Sequence, residues 1–226
     1  MARAWRWTAA GCARSSAEEA VPELIDVSPR LHAGLAVWPG DTRFGLERLL
    51  RLADGDPLEL SALRSTVHAG AHADAPSHFR PGAPAIDRLP LAPYFGPCRL
   101  IDAAVGPRGR VRPADLAAEV DAPRVLIRTG TRPDPDRWSE DFAGLSVELV
   151  RHLGERGVVL AGIDTPSMDP FADPAIPAHH ALAEHGIAIL EGLDLAGVPA
   201  GRYTLAAFPL RLAGAEASPV RAVLIR

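Results

Sequence analysis

The chain contains no lysine, no asparagine and no glutamine; all 24 of its basic residues are arginine, in 226 residues with a net charge of −4. The absence of lysine excludes Schiff-base and pyridoxal-type chemistry and any phosphate loop that depends on a lysine. The absence of side-chain amides means that neither metal ligands nor an oxyanion hole can come from Asn or Gln. Cysteine is scarce: Cys12 and Cys98 are too few for a disulfide framework and point to a reducing, cytoplasmic compartment. No apolar run is long enough to span a bilayer, and the charge balance offers no surface for nucleic acid or membrane.

Proline and glycine, by contrast, are plentiful. With 22 prolines and 20 glycines in a composition that is 47% hydrophobic, the chain reads as one well-cored domain rich in turns. Residues 1–22, MARAWRWTAAGCARSSAEEAVP, lack the uninterrupted apolar core of a signal peptide and read as a disordered leader. Residues 23–226 read as a single mixed α/β domain. LIDVS (24–28) is strand-like, and FGLERLL and LELSALRSTV alternate as two strands about an ADGDP turn. CRLIDAAV (98–105), RVLIRT (124–129) and VVLAGID (158–164) have the pattern of buried strands. Pro113 to Val120 predicts a short helix, and Ser146 is placed to cap another that runs to about Glu155 and stops at Gly157. Between Gly130 and Phe142 lies a polar loop long enough to be a lid. Strands alternating with helices define the class.

The densest chemistry lies in HAGAHADAPSH, where His68, His72, Asp74 and His78 fall within eleven residues. On a helix, Asp74 would turn away from His68; in one continuous strand, His68 and His78 would stand roughly 33 Å apart. Only a bent loop, loosened by Gly70, the alanines and Pro76, folds these groups around one centre. Two imidazoles and a carboxylate without a thiolate suit zinc, manganese or iron rather than calcium or magnesium.

A second group follows in PAHHALAEHGIAILEGL, where His179 sits on a helix and Glu191 in an otherwise apolar strand, with Gly186 at the connection. A carboxylate among Ile187, Ile189, Leu190 and Leu193 is costly to bury without a cation, and the first loop offers a place for one.

HAGAHADAPSH matches the HxGxHxDxPxH motif of the cyclase-like metal-dependent hydrolases. WPGD, LAPYFGPCRLIDA, GIDTPSMDP, HHALAEHGIAILEGL and AAFPLRLAGAEASPVRAVL resemble the bacterial kynurenine formamidases, so that the likeness runs from about Leu24 to Arg226. The resemblance implies a swivelling β/β/α fold assembled as a homodimer or homotetramer. It implies two divalent ions, zinc in the first instance or manganese: His68, His72 and Asp74 on one, and Asp74, His179 and Glu191 on the other. His78 corresponds to the general acid/base, and Trp38 to an aromatic that contacts the substrate. The implied reaction is hydrolysis of an aryl formamide, N-formyl-L-kynurenine, to L-kynurenine and formate by a metal-activated hydroxide, a step of tryptophan catabolism.

The residues themselves leave some roles open. Against the acid/base role, His78 can be read as an ordinary loop histidine or an extra ligand, and Phe79, Tyr94 or Phe95 can take the place of Trp38. Arg132 and Arg137 are candidates for the amino-acid end of the substrate, and Asp164 for orienting a ligand; His32, His152 and His185 read as structural. Two other functions fit the same sequence: an isatin hydrolase or related cyclic-amide hydrolase, and a metal-stabilised binding protein without turnover.

Overall fold

Short aliphatic runs separated by proline and glycine leave room for short strands and few helices. The structure, a computed structural model, describes residues 22–132 and 134–226, so the expected leader lies outside the described residues except for Pro22. The strands of the N-terminal half are β1 (Leu24–Asp26), β2 (Gly45–Leu50), β3 (Leu60–Arg64), β4 (His72–Asp74), β5 (Phe95–Asp102) and β6 (Arg110–Val111). Then come β7 (Arg124–Arg128), β8 (Gly144–Leu145), helix α1 (Val147–Glu155), β9 (Leu160–Ile163), helix α2 (Pro177–Glu184) and β10 (Ala188–Glu191). β11 (Gly201–Ala206), β12 (Ala217–Pro219) and β13 (Val223–Ile225) complete the chain.

Nine strands form one mixed sheet in the order β1-β13-β11-β5-β7-β9-β10-β4-β12. Its centre, β5 to β10, is parallel, and these are the apolar runs that read as buried strands. Side chains alternate across it: Val125 and Ile127 join Leu149, Leu153 and Leu182 of the helices, while Leu126 joins the core on the other face. That second core also takes Leu224 from β13 and Ala73 from β4, strands far apart in the order. The sheet therefore curls over this face, and the two helices cover the other. The α/β class expected from the sequence is borne out.

α1 begins as expected, with the Ser146 hydroxyl accepting from the Leu149 amide at 3.1 Å. The helix expected from Pro113 to Val120 is only a 3-10 turn over Pro113–Asp115. The chain there hydrogen-bonds to the end of β5 instead: the Ala104 amide donates to the Asp115 carbonyl, and Leu116 bridges to Ala103. The histidine motif also departs from a pure loop, because its middle three residues are β4, paired on both sides. Gly70, at φ 64°, turns the chain into β4, and a 3-10 turn over Pro76–His78 turns it out.

β2 and β3 stand apart as a two-stranded hairpin whose leucines Leu46, Leu49, Leu60 and Leu63 are all exposed, Leu63 at 70%. Among the described residues, no helix is long and apolar enough to cross a membrane.

One close approach fixes how the motif meets β10. Gly192 has φ 65°, and a Cβ there would overlap the carbonyl oxygen of Gly70, two residues before His72. Gly192→Ala should therefore destabilise the fold by about 2 to 4 kcal/mol, since backbone strain and backbone overlap add. A denaturant midpoint within 0.5 kcal/mol (roughly the scatter of a surface change) of the parent would contradict that constraint.

Candidate metal centre

Register brings the acidic and imidazole groups together. In the antiparallel pair of β10 and β4, Glu191 lies opposite His72 and Ile189 opposite Asp74. Directly paired residues share a face, as do residues two apart on one strand, so His72, Asp74 and Glu191 all point to the helix side of the sheet. His179, in the first turn of α2, closes the group from above. The segments that follow β7 and β9 contribute to the site as well, through Arg132 and Trp138 and through Pro166 and Ser167, and Glu191 itself ends β10. Ligand sites in such sheets lie at the carboxyl ends of the strands.

Asp74 is the hub. Its Oδ1 lies 3.2 Å from His68 Nδ1 and 3.5 Å from His72 Nε2, and its Oδ2 3.7 Å from His179 Nε2. Glu191 spans the same rings, with Oε2 3.3 Å from His72 Nε2 and Oε1 3.2 Å from His179 Nε2. Donor atoms of His72, Asp74 and Glu191 lie within 4.8 Å of one another, as do those of His68, Asp74 and His78. The rings of His68 and His78 are 4.4 Å apart.

This donor set fits a divalent cation. Both Asp74 oxygens and His68 Nε2 are buried without a hydrogen-bond partner, although imidazoles surround them. Native proteins rarely leave a carboxylate so, because an unmatched buried charge is expensive; a cation bound by both oxygens removes the cost. The outer contacts have the form that orients metal-bound histidines: His72 Nδ1 lies 2.9 Å from the Gly70 carbonyl oxygen, and His179 Nδ1 lies 2.7 Å from Asp169 Oδ2.

The electrostatics agree. Burial works against the charged form of His72, but hydrogen bonding to Glu191 and the charges of Asp74 and Glu191 lift its pKa to about 9. Burial likewise disfavours ionised Asp74, yet the His179, His68 and His72 rings hold its carboxyl well below the usual carboxylate range. Burial and the nearby Asp74 charge push the Glu191 carboxyl up, and His179 and His72 outweigh them. For His78 the net direction is down, from burial and the neighbouring His68 ring against the pull of Asp74. The shift favours the neutral ring, the form that can accept a proton before giving one up.

The centre opens into a cavity of ≈ 440 Å³ lined by Trp38, His68, His78, Arg132, Trp138, His179 and Glu191 among others. Trp38 sits in an aromatic cluster, with ring centroids 5.2 Å from Trp138 and 5.0 Å from Phe171. The alternatives to Trp38 lie elsewhere. Tyr94 is fully buried, Phe95 stacks on Phe208 at the far end of β5, and Phe79 packs edge-on against His179 beside a smaller apolar cavity.

Two expectations change. Asp164 does not orient a ligand: its oxygens accept from the Thr129 and Gly130 amides and the Thr129 hydroxyl, anchoring the start of the 129–143 loop. The orienting carboxylate is Asp169, which sequence reasoning missed. It accepts from the amides of Ala178 and His179 at the start of α2 and pairs with Arg110 Nη1 at 2.7 Å. Trp138 was missed too. Its place in a long loop rich in proline and aspartate gave no signal.

Residues 25–170 match the family described as "Putative cyclase". The chain is a metal-dependent hydrolase that belongs to this cyclase family. It is 44% identical over 204 residues to the kynurenine formamidase of Maricaulis maris (strain MCS10), covering 89% of this chain and 97% of that one. The fold matches a solved potential metal-dependent hydrolase with cyclase activity (TM-score 0.77, 28% identity, 91% of this chain and 98% of that one). It also matches isatin hydrolase A of Labrenzia aggregata bound to benzyl benzoate (TM-score 0.75, 25% identity, 90% and 93%).

Because Asp169 fixes the tautomer and angle of His179, Asp169→Ala should weaken divalent-metal binding about 10- to 100-fold. Competition against a chromophoric chelator at pH 8 reads the affinity directly, and an unchanged value would deny Asp169 that role.

Proposed function

We propose that this hydrolase cleaves N-formyl-L-kynurenine to L-kynurenine and formate. The observation that carries the reading is the 44% identity to a kynurenine formamidase across nearly its whole length. It is supported by a buried donor cluster that faces an aromatic-walled cavity of a size usual for small ligands, roughly 300 to 1,000 Å³. In this reading His68, His72 and Asp74 hold one divalent ion; Asp74, His179 and Glu191 hold a second. Zinc is the first choice and manganese the alternative, given the imidazole and carboxylate donors. Such ions supply a lowered pKa for water, toward about 7, and Lewis acidity for a carbonyl oxygen.

The chain supplies the rest. Trp38, backed by Trp138 and Phe171, packs against the substrate's benzoyl ring and aims the formyl group at the histidines. The loop after β7, anchored by Asp164, contributes Arg132 and Trp138 to the cavity lining. His78, in its neutral form, takes the proton from water as its oxygen bonds to the formyl carbon. It then returns that proton to the aryl nitrogen as the carbon–nitrogen bond breaks, since the amine leaves poorly as an anion. His78 faces the cavity beside His68, where such a relay is needed.

Assembly as a homodimer or homotetramer is part of the proposal. A lone hairpin is marginal in water, and the exposed leucines of β2 and β3 gain by being covered by a second copy. Sedimentation velocity should show a dimer or tetramer that Leu63→Glu weakens; a monomer at micromolar concentration would refute assembly.

The enzymatic test is kynurenine release followed by absorbance, before and after chelation and after zinc or manganese is restored. Turnover should vanish with chelator and return with metal, and His78→Ala should keep its metal yet lose about 10²- to 10⁴-fold in kcat, the usual share of acid–base catalysis. A metal-loaded protein that ignored formyl-kynurenine and opened isatin would instead favour the isatin hydrolase reading, which the likeness to isatin hydrolase A keeps in view.

A further inference from the structure

Among the described residues, Arg132 is the one arginine that lines the cavity of the metal centre. Among the described residues its one hydrogen bond is from Nη2 to the Pro135 carbonyl at 3.1 Å, and its Nε is buried without a partner. Among the described residues, no carboxylate comes within ion-pair distance of it. Asp134, Asp136 and Asp164 are close enough to be felt, but burial still lowers the pKa of this arginine. Of these, Asp164 has its oxygens already committed to Thr129 and Gly130. Arg137, the other candidate from the same loop, is exposed and does not line the cavity.

Beside Arg132 stands a second orphan. Trp138 Nε1 is buried without an acceptor, and Trp138 lines the same cavity. Arg132 and Trp138 both line the cavity that His68, His78, His179 and Glu191 line, and each carries one buried donor without a partner. A guanidinium held mostly out of water, with its Nε–H buried and unpaired, carries a desolvation cost that an anionic ligand can offset, and its planar fork suits a carboxylate.

We propose that Arg132 and the Trp138 indole N–H form the anion subsite that receives the carboxylate of an aryl-ketone amino acid and so selects carboxylate-bearing substrates. The identity of the substrate rests on the formamidase reading; the subsite itself rests on the two orphaned donors. The subsite lies on the loop after β7, whereas the reacting group lies at β4, β10 and α2. Substrates are thereby held at both ends, with the aromatic cluster between. Simple aryl formamides, lacking the carboxylate, gain nothing from Arg132.

The test uses metal-loaded full-length protein and a non-reacting probe, β-benzoylpropionate, against its methyl ester, with binding read by calorimetry and tryptophan fluorescence. The parent should bind the acid about 100-fold more tightly than the ester, and in Arg132→Met the two should differ by less than about 3-fold, as expected when a charged hydrogen-bond partner is removed. Arg132→Lys, which keeps the charge but not the fork, should fall between them and guards against a misfolded Met variant; Trp138→Phe should lose part of the preference. A parent indifferent to the ester, failure of both probes to bind, or a preference that survives Arg132→Met would each overturn the subsite. An acid preference that depends on Arg132 in a protein unable to hydrolyse formyl-kynurenine would sink the formamidase reading and leave the subsite standing.

Discussion

Two carboxylates buried side by side, Asp74 and Glu191, are what the rest of this structure has to accommodate. Each raises the other's cost of ionisation, and burial adds to it. The sheet answers by holding His72 between them and setting His179 over both. Even so, the Asp74 oxygens lack hydrogen-bond partners, so protein groups alone do not settle the account. The hydrophobic cores are closed, and among the described residues Asp74 is the one carboxylate left buried with neither oxygen hydrogen-bonded. That incompleteness is what makes the cluster a metal centre rather than a structural salt-bridge network.

Precision at the centre comes from register. A slip of one residue between β4 and β10 would turn His72 and Asp74 to the opposite face and bury the alanines in their place. The motif's small residues serve this arrangement. Ala73 faces the second core, while Gly70 and Gly192 let two backbones meet where a side chain would not fit. Asp169 extends the same economy to the helix: one carboxylate satisfies two amides at the start of α2, orients the His179 ring and binds Arg110.

Much of this was legible in the residues. The continuous apolar runs became the parallel centre of the sheet, Ser146 capped its helix, and the buried Glu191 pointed to a cation before any geometry was known. The motif was misread as wholly irregular because one regular element was asked to explain all four groups. The chain instead uses three residues of strand with a turn at each end. The helix at Pro113 failed because a propensity over eight residues is weak against hydrogen bonds offered by the end of β5. Asp164 and Asp169, five residues apart, are alike in sequence. Only the return of α2 over the sheet gives one of them His179 and leaves the other to the loop. Arg132 resembled any solvated arginine until the cavity was drawn around it.

β4 is flanked by β10 on one side and by β12 on the other, so its short ladder depends on segments far along the chain. During synthesis the motif therefore has no strand partner before Ala188–Glu191 is made, and its second edge stays open until Ala217–Pro219 follows. The contacts that join the motif to His179 and Glu191 span more than a hundred residues, which favours slow, late closure over a local nucleus. A nascent chain can touch metal through isolated histidines long before it can hold one in place. Loading is consequently an event of the finished fold, and a lesion in β12, remote in sequence from every histidine, would be felt as a failure to mature.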